Sequence, residues 1–113
     1  MVKATAKYER LTEALRRAIT AAELAVAENP EDGGTCNFDS PALLLPRWNE
    51  KRVEEAAKKA GCGCFKWDCC GTGYFVFPIR VGGQGNSRTL AAETAKDSLA
   101  AEGYHASVYY QMD

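Results

Sequence analysis

Tyr8, Leu11, Leu15, Ala18, Ile19, Ala22, Ala25 and Val26 recur at three- and four-residue steps, with charged side chains on the opposite side. Such a period belongs to an amphipathic helix. The spacing predicts one over residues 3–28, nearly 40 Å long at about 1.5 Å per residue. That is longer than a chain of 113 residues needs to cover itself. Asn29-Pro30 stops it, because proline disfavours helical geometry in the residue before it. The apolar stripe runs the whole length of the helix. It therefore packs within the chain or, as a second reading, forms a subunit interface.

The remaining chain alternates short signals. Glu-Asp-Gly-Gly after Pro30 makes a turn, and residues 35–39 form a short strand or an ordered loop. Leu43-Leu44-Leu45 is a buried anchor before Pro46. A second helix starts at Asn49 as N-cap, with Glu50 in its first turn, Lys58 and Lys59 in its last, and Gly61 just past the end. Val53, Ala56, Ala57 and Ala60 form its inner face. Strand-like segments follow at 62–68 and 73–80. The second holds Tyr-Phe-Val-Phe, and Pro78 implies that it lies at a sheet edge or bends there. A glycine-rich turn leads into a third helix over residues 88–102, and residues 104–112 alternate as a last strand. The expected class is α+β: a mostly antiparallel sheet covered by helices, with a long N-terminal amphipathic helix. Residues 1–113 form a single domain. The order after the first helix, β-α-β-β-α-β, is compatible with a ferredoxin-like sheet.

Composition excludes several classes. Hydrophobic residues make up 46% and charged residues 26%, the balance of a globular chain rather than a disordered one. No run approaches the roughly 18 apolar residues of a membrane span, so no membrane partner is expected. Fourteen basic and fifteen acidic residues give a net charge of -1, which argues against a nucleic-acid polymer as partner but leaves room for a local anion pocket. The opening residues carry no secretory leader pattern. Five cysteines are an odd number, and reduced cytosolic thiols fit better than a disulfide framework. Four of them crowd into residues 62–70. Their pairs are one and zero residues apart, closer than the two to four usual between zinc ligands, so buried thiols are expected and no metal.

Chemistry concentrates in Gly82-Gly-Gln-Gly-Asn-Ser-Arg88. Glycines admit close approach of a ligand, and the following helix N-terminus offers N–H donors to a phosphate. Gly85 lies in that approach. Asn86 and Ser87 cap the helix or bond a ribose or base, and Arg88 pairs with a phosphate. The plain alternative is a structural turn with a helix cap, since neither a Walker loop nor a full dinucleotide fingerprint is present. Phe75, Phe77 and Arg80 lie on the strand feeding this loop. Either ring can stack on a base, or both fill the core, and being alternate residues they share one face. Asn37 and Asp39 flank Phe38 and would face one way on an extended segment, or serve as turn formers. His105 has no carboxylate neighbour in sequence, and no nucleophile–base pairing is legible. No catalytic residue and no cofactor are expected.

Three strings taken together, Asp32-Gly-Gly-Thr-Cys-Asn-Phe-Asp39, Val81-Gly-Gly-Gln-Gly-Asn-Ser-Arg88 and Ser107-Val-Tyr-Tyr-Gln-Met-Asp113, resemble the first class of phage Thoeris anti-defence proteins. The resemblance runs from the first helix to the C-terminus and rests on the ordered combination, each motif being short. It implies a sponge that binds cyclic ADP-ribose isomers made by TIR-domain enzymes of the bacterial Thoeris system, without cleaving them. Some members also capture cyclic oligonucleotide signals of the CBASS system at a separate site. It further implies a homo-oligomer, a dimer or larger, acting in the cytoplasm of the infected bacterial host. Carried onto this chain, the ligand contacts would be Phe75 or Phe77, Asn86 and Arg88, with Asn37 and Asp39 as further contacts. The cysteine cluster at 62–70 falls outside the family's pattern.

The chemistry of such a ligand matches the residue types: N–H donors and arginine for a pyrophosphate, a ring for adenine, Asn or Asp for riboses. Two other classes compete. One is a phage inhibitor acting by protein–protein interaction through the long first helix. The other is a small enzyme using a Cys–His pair.

Overall fold

The computed structural model describes residues 3–28, 39–67, 73–79 and 86–110, without the side chains of residues 3–5, 67 and 86–88. The elements run α1 (Lys3–Glu28), β1 (Ser40–Leu44), α2 (Glu50–Ala60), β2 (Phe65–Trp67), β3 (Tyr74–Val76), α3 (Asn86–Ala101) and β4 (Ala106–Tyr109). The strands form one sheet in the order β2-β3-β1-β4, with every neighbouring pair antiparallel. After α1 this is the split β-α-β arrangement of ferredoxin-like sheets. The chain is α+β, its long N-terminal helix and two further helices packed on an antiparallel sheet.

Alternation along the strands sorts the two faces of the sheet. Leu43, Leu45, Phe75, Phe77 and Ile79 join the helices in one core. The helices meet it through small residues. Ala14, Ala18 and Ala22 recur every four residues on α1, and Ala91 and Ala95 on α3, all fully buried. Side chains of that size let helix axes approach closely. Thr12 is the polar exception on α1. Its hydroxyl lies 3.2 Å from the carbonyls of both Tyr8 and Ala56 and donates its one proton there, which satisfies the group as α1 meets α2. On the other face of the sheet the Phe65 and Tyr109 rings, from the two edge strands, meet edge-on at 5.8 Å. Ala42 and Val76, paired in the register between those strands, are closed to solvent.

Helix α2 follows its sequence signals. Asn49 Oδ1 accepts from the Arg52 N–H at 3.1 Å, and Gly61 at φ 96° donates to the carbonyls of Ala57 and Lys58. Strands β2, β3 and β4 lie within the strand-like segments at 62–68, 73–80 and 104–112, while the first strand departs from its signal. Of the expected 35–39 only Asp39 lies within the described residues, and it is not part of a strand; the first strand among the described residues is Ser40–Leu44. It carries Pro41 although it is a central strand. Phe77 N–H donates to Pro41 O at 2.9 Å, and the reciprocal bond is impossible because proline has no N–H. The β1–β3 ladder therefore stops at Val76. Pro78 follows that stop, so β3 is neither an edge strand nor bent within itself: it lies between β2 and β1 and ends before the proline. Pro78 O is used instead by Gly63 N–H at 2.9 Å.

Candidate functional site

Helix α3 begins at Asn86, two residues earlier than its apolar pattern implies, so Asn86, Ser87 and Arg88 make its first turn. Their backbone is described and their side chains are not. Asn37, Arg80 and Gly85 lie outside the described residues. One residue from the first loop is brought to this helix. Asp39, just before β1, is 5% exposed, and its Oδ2 accepts from the Thr89 hydroxyl at 2.9 Å. Thr89 stands in the first turns of α3, so a segment read as a possible ligand loop is tied to the helix that follows the glycine-rich one. A carboxylate beside a helix N-terminus is also stabilised by the helix dipole. Asp39 thus does structural work here, its carboxylate turned into the protein.

Phe75 and Phe77 are 2% and 0% exposed. Both side chains belong to the helix-facing core, with Phe75 opposite Leu43 in the register. This corrects the stacking role read from the sequence. The helix-facing row formed by β3 and the residue after it takes both rings, and neither presents a face to a ligand. The most exposed of the described aromatic rings lie elsewhere: Phe65 is 41% and Tyr110 61% exposed, and Tyr110 OH donates to Glu93 Oε2 at 2.9 Å. His105 is exposed at the start of β4 with its ring edge-on to Tyr74, the centroids 6.5 Å apart.

The described cysteines are ill suited to chemistry. Cys62 and Cys64 are half-buried against the core just before β2. Burial pushes both thiols up to about 12, with Glu54 adding to the effect on Cys64. A thiol so placed is not a ready nucleophile at neutral pH. Cys36, Cys69 and Cys70 lie outside the described residues. Among the described residues no group of three or more His, Cys, Asp or Glu side chains converges on a point where a metal could sit, and no helix is long and apolar enough to cross a membrane.

The sequence gives no hint of the clefts that the helices build. One of about 640 Å³ runs between α1 and α2, with Thr12 and Ala56 at its floor and Glu9, Glu13, Arg52 and Glu55 along its sides. Its charges alternate in sign, and Arg16 is already engaged by Glu13 at 2.8 Å and by the Lys59 carbonyl at 3.2 Å. A smaller cleft lies between α1 and the turn after α3. Neither was legible locally, because each is assembled from helix faces that read as solvated charge. Among known proteins, the chain matches no family model, no curated protein and no solved structure.

Proposed function

We propose that this chain is a phage anti-defence sponge. It binds cyclic ADP-ribose isomers, and by the same resemblance cyclic oligonucleotides, and holds them uncleaved in the cytoplasm of an infected bacterium as a homo-oligomer. The motif resemblance carries the ligand class. The single structural observation in support is the 2.9 Å bond from Thr89 to Asp39, which sets the end of the first motif against the helix opened by the second. The last residue of the first string therefore lies beside the helix that the second string leads into. In this reading Asn86, Ser87 and Arg88 meet the pyrophosphate and riboses, and Asp39 positions the helix instead of touching the ligand. Phe75 and Phe77 support the site from the core.

Calorimetric titration with cyclic ADP-ribose isomers, followed by heating and chromatography of the released ligand, tests the proposal. Tight binding with intact ligand supports it; nanomolar affinity corresponds to about -12 kcal/mol. Arg88→Ala should weaken binding by about 1.5–3 kcal/mol, the worth of a charge-assisted hydrogen bond. Unchanged affinity in that variant removes the α3 terminus from the site, and cleaved ligand makes the protein an enzyme. One observation favours the interaction-module reading instead: Leu24 on α1 is 61% exposed. Co-purification with one host protein, lost in Leu24→Ser and kept in Arg88→Ala, would establish that reading.

A further inference from the structure

At the end of α3 opposite Asn86, about 24 Å away at about 1.5 Å per residue, a cleft of about 280 Å³ opens between α1, the turn before α2 and the turn after α3. Its charge is strongly one-sided. Lys7, Arg10 and Arg17 project from one side of α1, and the acid among the lining residues is Glu102. That carboxylate is already neutralised: Arg17 Nε and Nη2 donate to its two oxygens at 2.9 and 2.6 Å, which holds Glu102 below the usual carboxylate range. Lys7 and Arg10 have no carboxylate partner in any ion pair among the described residues. Among the described residues the cleft therefore carries two positive charges without an ion-pair partner.

Its walls are aromatic. Lys7 Nζ lies 4.6 Å from the centroid of the Trp48 ring and 5.3 Å from that of Tyr8, so the ammonium is held against rings instead of a counter-charge. Tyr104 closes another side, its phenol raised by burial and partly brought back by the nearby Arg10. The carbonyls of Leu99 and Ala100, at the end of α3, accept from the N–H groups of Glu102, Gly103 and Tyr104, which fixes the turn that closes this side of the cleft. A guanidinium fork and an ammonium beside flat apolar walls suit a phosphate carried on a planar group.

We propose that this cleft binds a small phosphomonoester, an anion of charge about -1.5 to -2 at pH 7. Arg10 bonds two phosphate oxygens, Lys7 a third, and Trp48 and Tyr104 flank the group that bears the phosphate. The site is independent of the α3 N-terminus and stands whether or not the sponge reading holds.

The test is calorimetry of the full chain at low salt with phenyl phosphate, glycerol 2-phosphate and inorganic phosphate. Phenyl phosphate should bind best, because only it can use the rings. Arg10→Ala should weaken it about tenfold. Glu102→Gln should tighten it about threefold, since it frees Arg17 and removes a negative charge, a gain that no merely structural role for Glu102 accounts for. Both positions are exposed and both variants should fold, and Arg10→Ala should leave cyclic ADP-ribose binding unchanged. Absence of heat with all three probes, or equal affinity in wild type, Arg10→Ala and Glu102→Gln, overturns the proposal.

Discussion

Gly73→Ala is expected to damage this fold far more than an ordinary glycine substitution. Gly73 precedes β3 with φ +94°, and a Cβ there would lie 3.0 Å from Pro46 Cα, 3.2 Å from Pro46 N and 3.4 Å from Leu44 Cδ1. Two costs combine. The left-handed conformation costs an L-residue about 1–2 kcal/mol. The new methyl meets backbone, which cannot rotate away, and overpacking of that kind costs about 1–3 kcal/mol. The backbone shift would also disturb the bond from Leu45 N–H to Gly73 O, 2.6 Å long. The total is about 2–5 kcal/mol, a large part of the roughly 5–15 kcal/mol that stabilises a domain. Gly61 is the control: its φ is +96°, and a Cβ there meets nothing within 4 Å. Gly61→Ala therefore carries only the conformational cost, about 1–2 kcal/mol. Urea unfolding of both variants, followed by far-ultraviolet circular dichroism, separates the two contributions. Equal losses in Gly73→Ala and Gly61→Ala would refute the backbone-contact reasoning.

Thr89→Val should destabilise the protein by about 1–3 kcal/mol, because it leaves the nearly buried Asp39 short of a donor; urea midpoints of Thr89→Val, Asp39→Asn and the double variant measure the coupling. Phe77→Ala should cost about 3–5 kcal/mol, the usual loss for a fully buried ring, and a thermal melt indistinguishable from wild type would contradict its place in the core. Cys62 and Cys64, with thiols pushed up to about 12, should resist iodoacetamide at pH 8 in the folded protein and react once it is unfolded in urea. A folded-state value above the unfolded one, about 8.5, stabilises the fold in full below that pH. The contribution is lost as pH rises from there to about 12. The urea midpoint of wild type should accordingly fall more steeply over that range than that of a Cys62→Ala/Cys64→Ala variant.

The helices were legible because their signals are local. The period of α1, the Asn49 cap and the Gly61 stop each lie within a turn or two of the residues they govern. Three of the strands were legible too, β2, β3 and β4 lying inside the segments read at 62–68, 73–80 and 104–112, but their ends were not, since a three-residue strand is bounded by its partners. Pro41 concealed β1, because proline argues against a central strand until one sees that its missing N–H coincides with the end of the β1–β3 ladder. At the candidate site, the α3 start was readable from its glycines. The role of Asp39 was not, because its partner Thr89 is fifty positions away in an unremarkable stretch of helix. The cationic cleft left no local trace either. Lys7, Arg10 and Arg17 look like the solvated side of an amphipathic helix until Trp48 and Tyr104 are folded against them.

The central place of β1 also sets a timetable for biosynthesis. Its two neighbours are β3 and β4, and the second of these is made about sixty residues after Leu44 leaves the ribosome. At about 5–20 residues per second, one edge of the strand waits several seconds for its partner. Over that interval Ser40–Leu44 is an apolar strand with an open hydrogen-bonding edge, the kind of segment that other nascent chains can pair with. Chaperone dependence and loss of yield on expression should therefore track changes in residues 106–109 as closely as changes in the core itself.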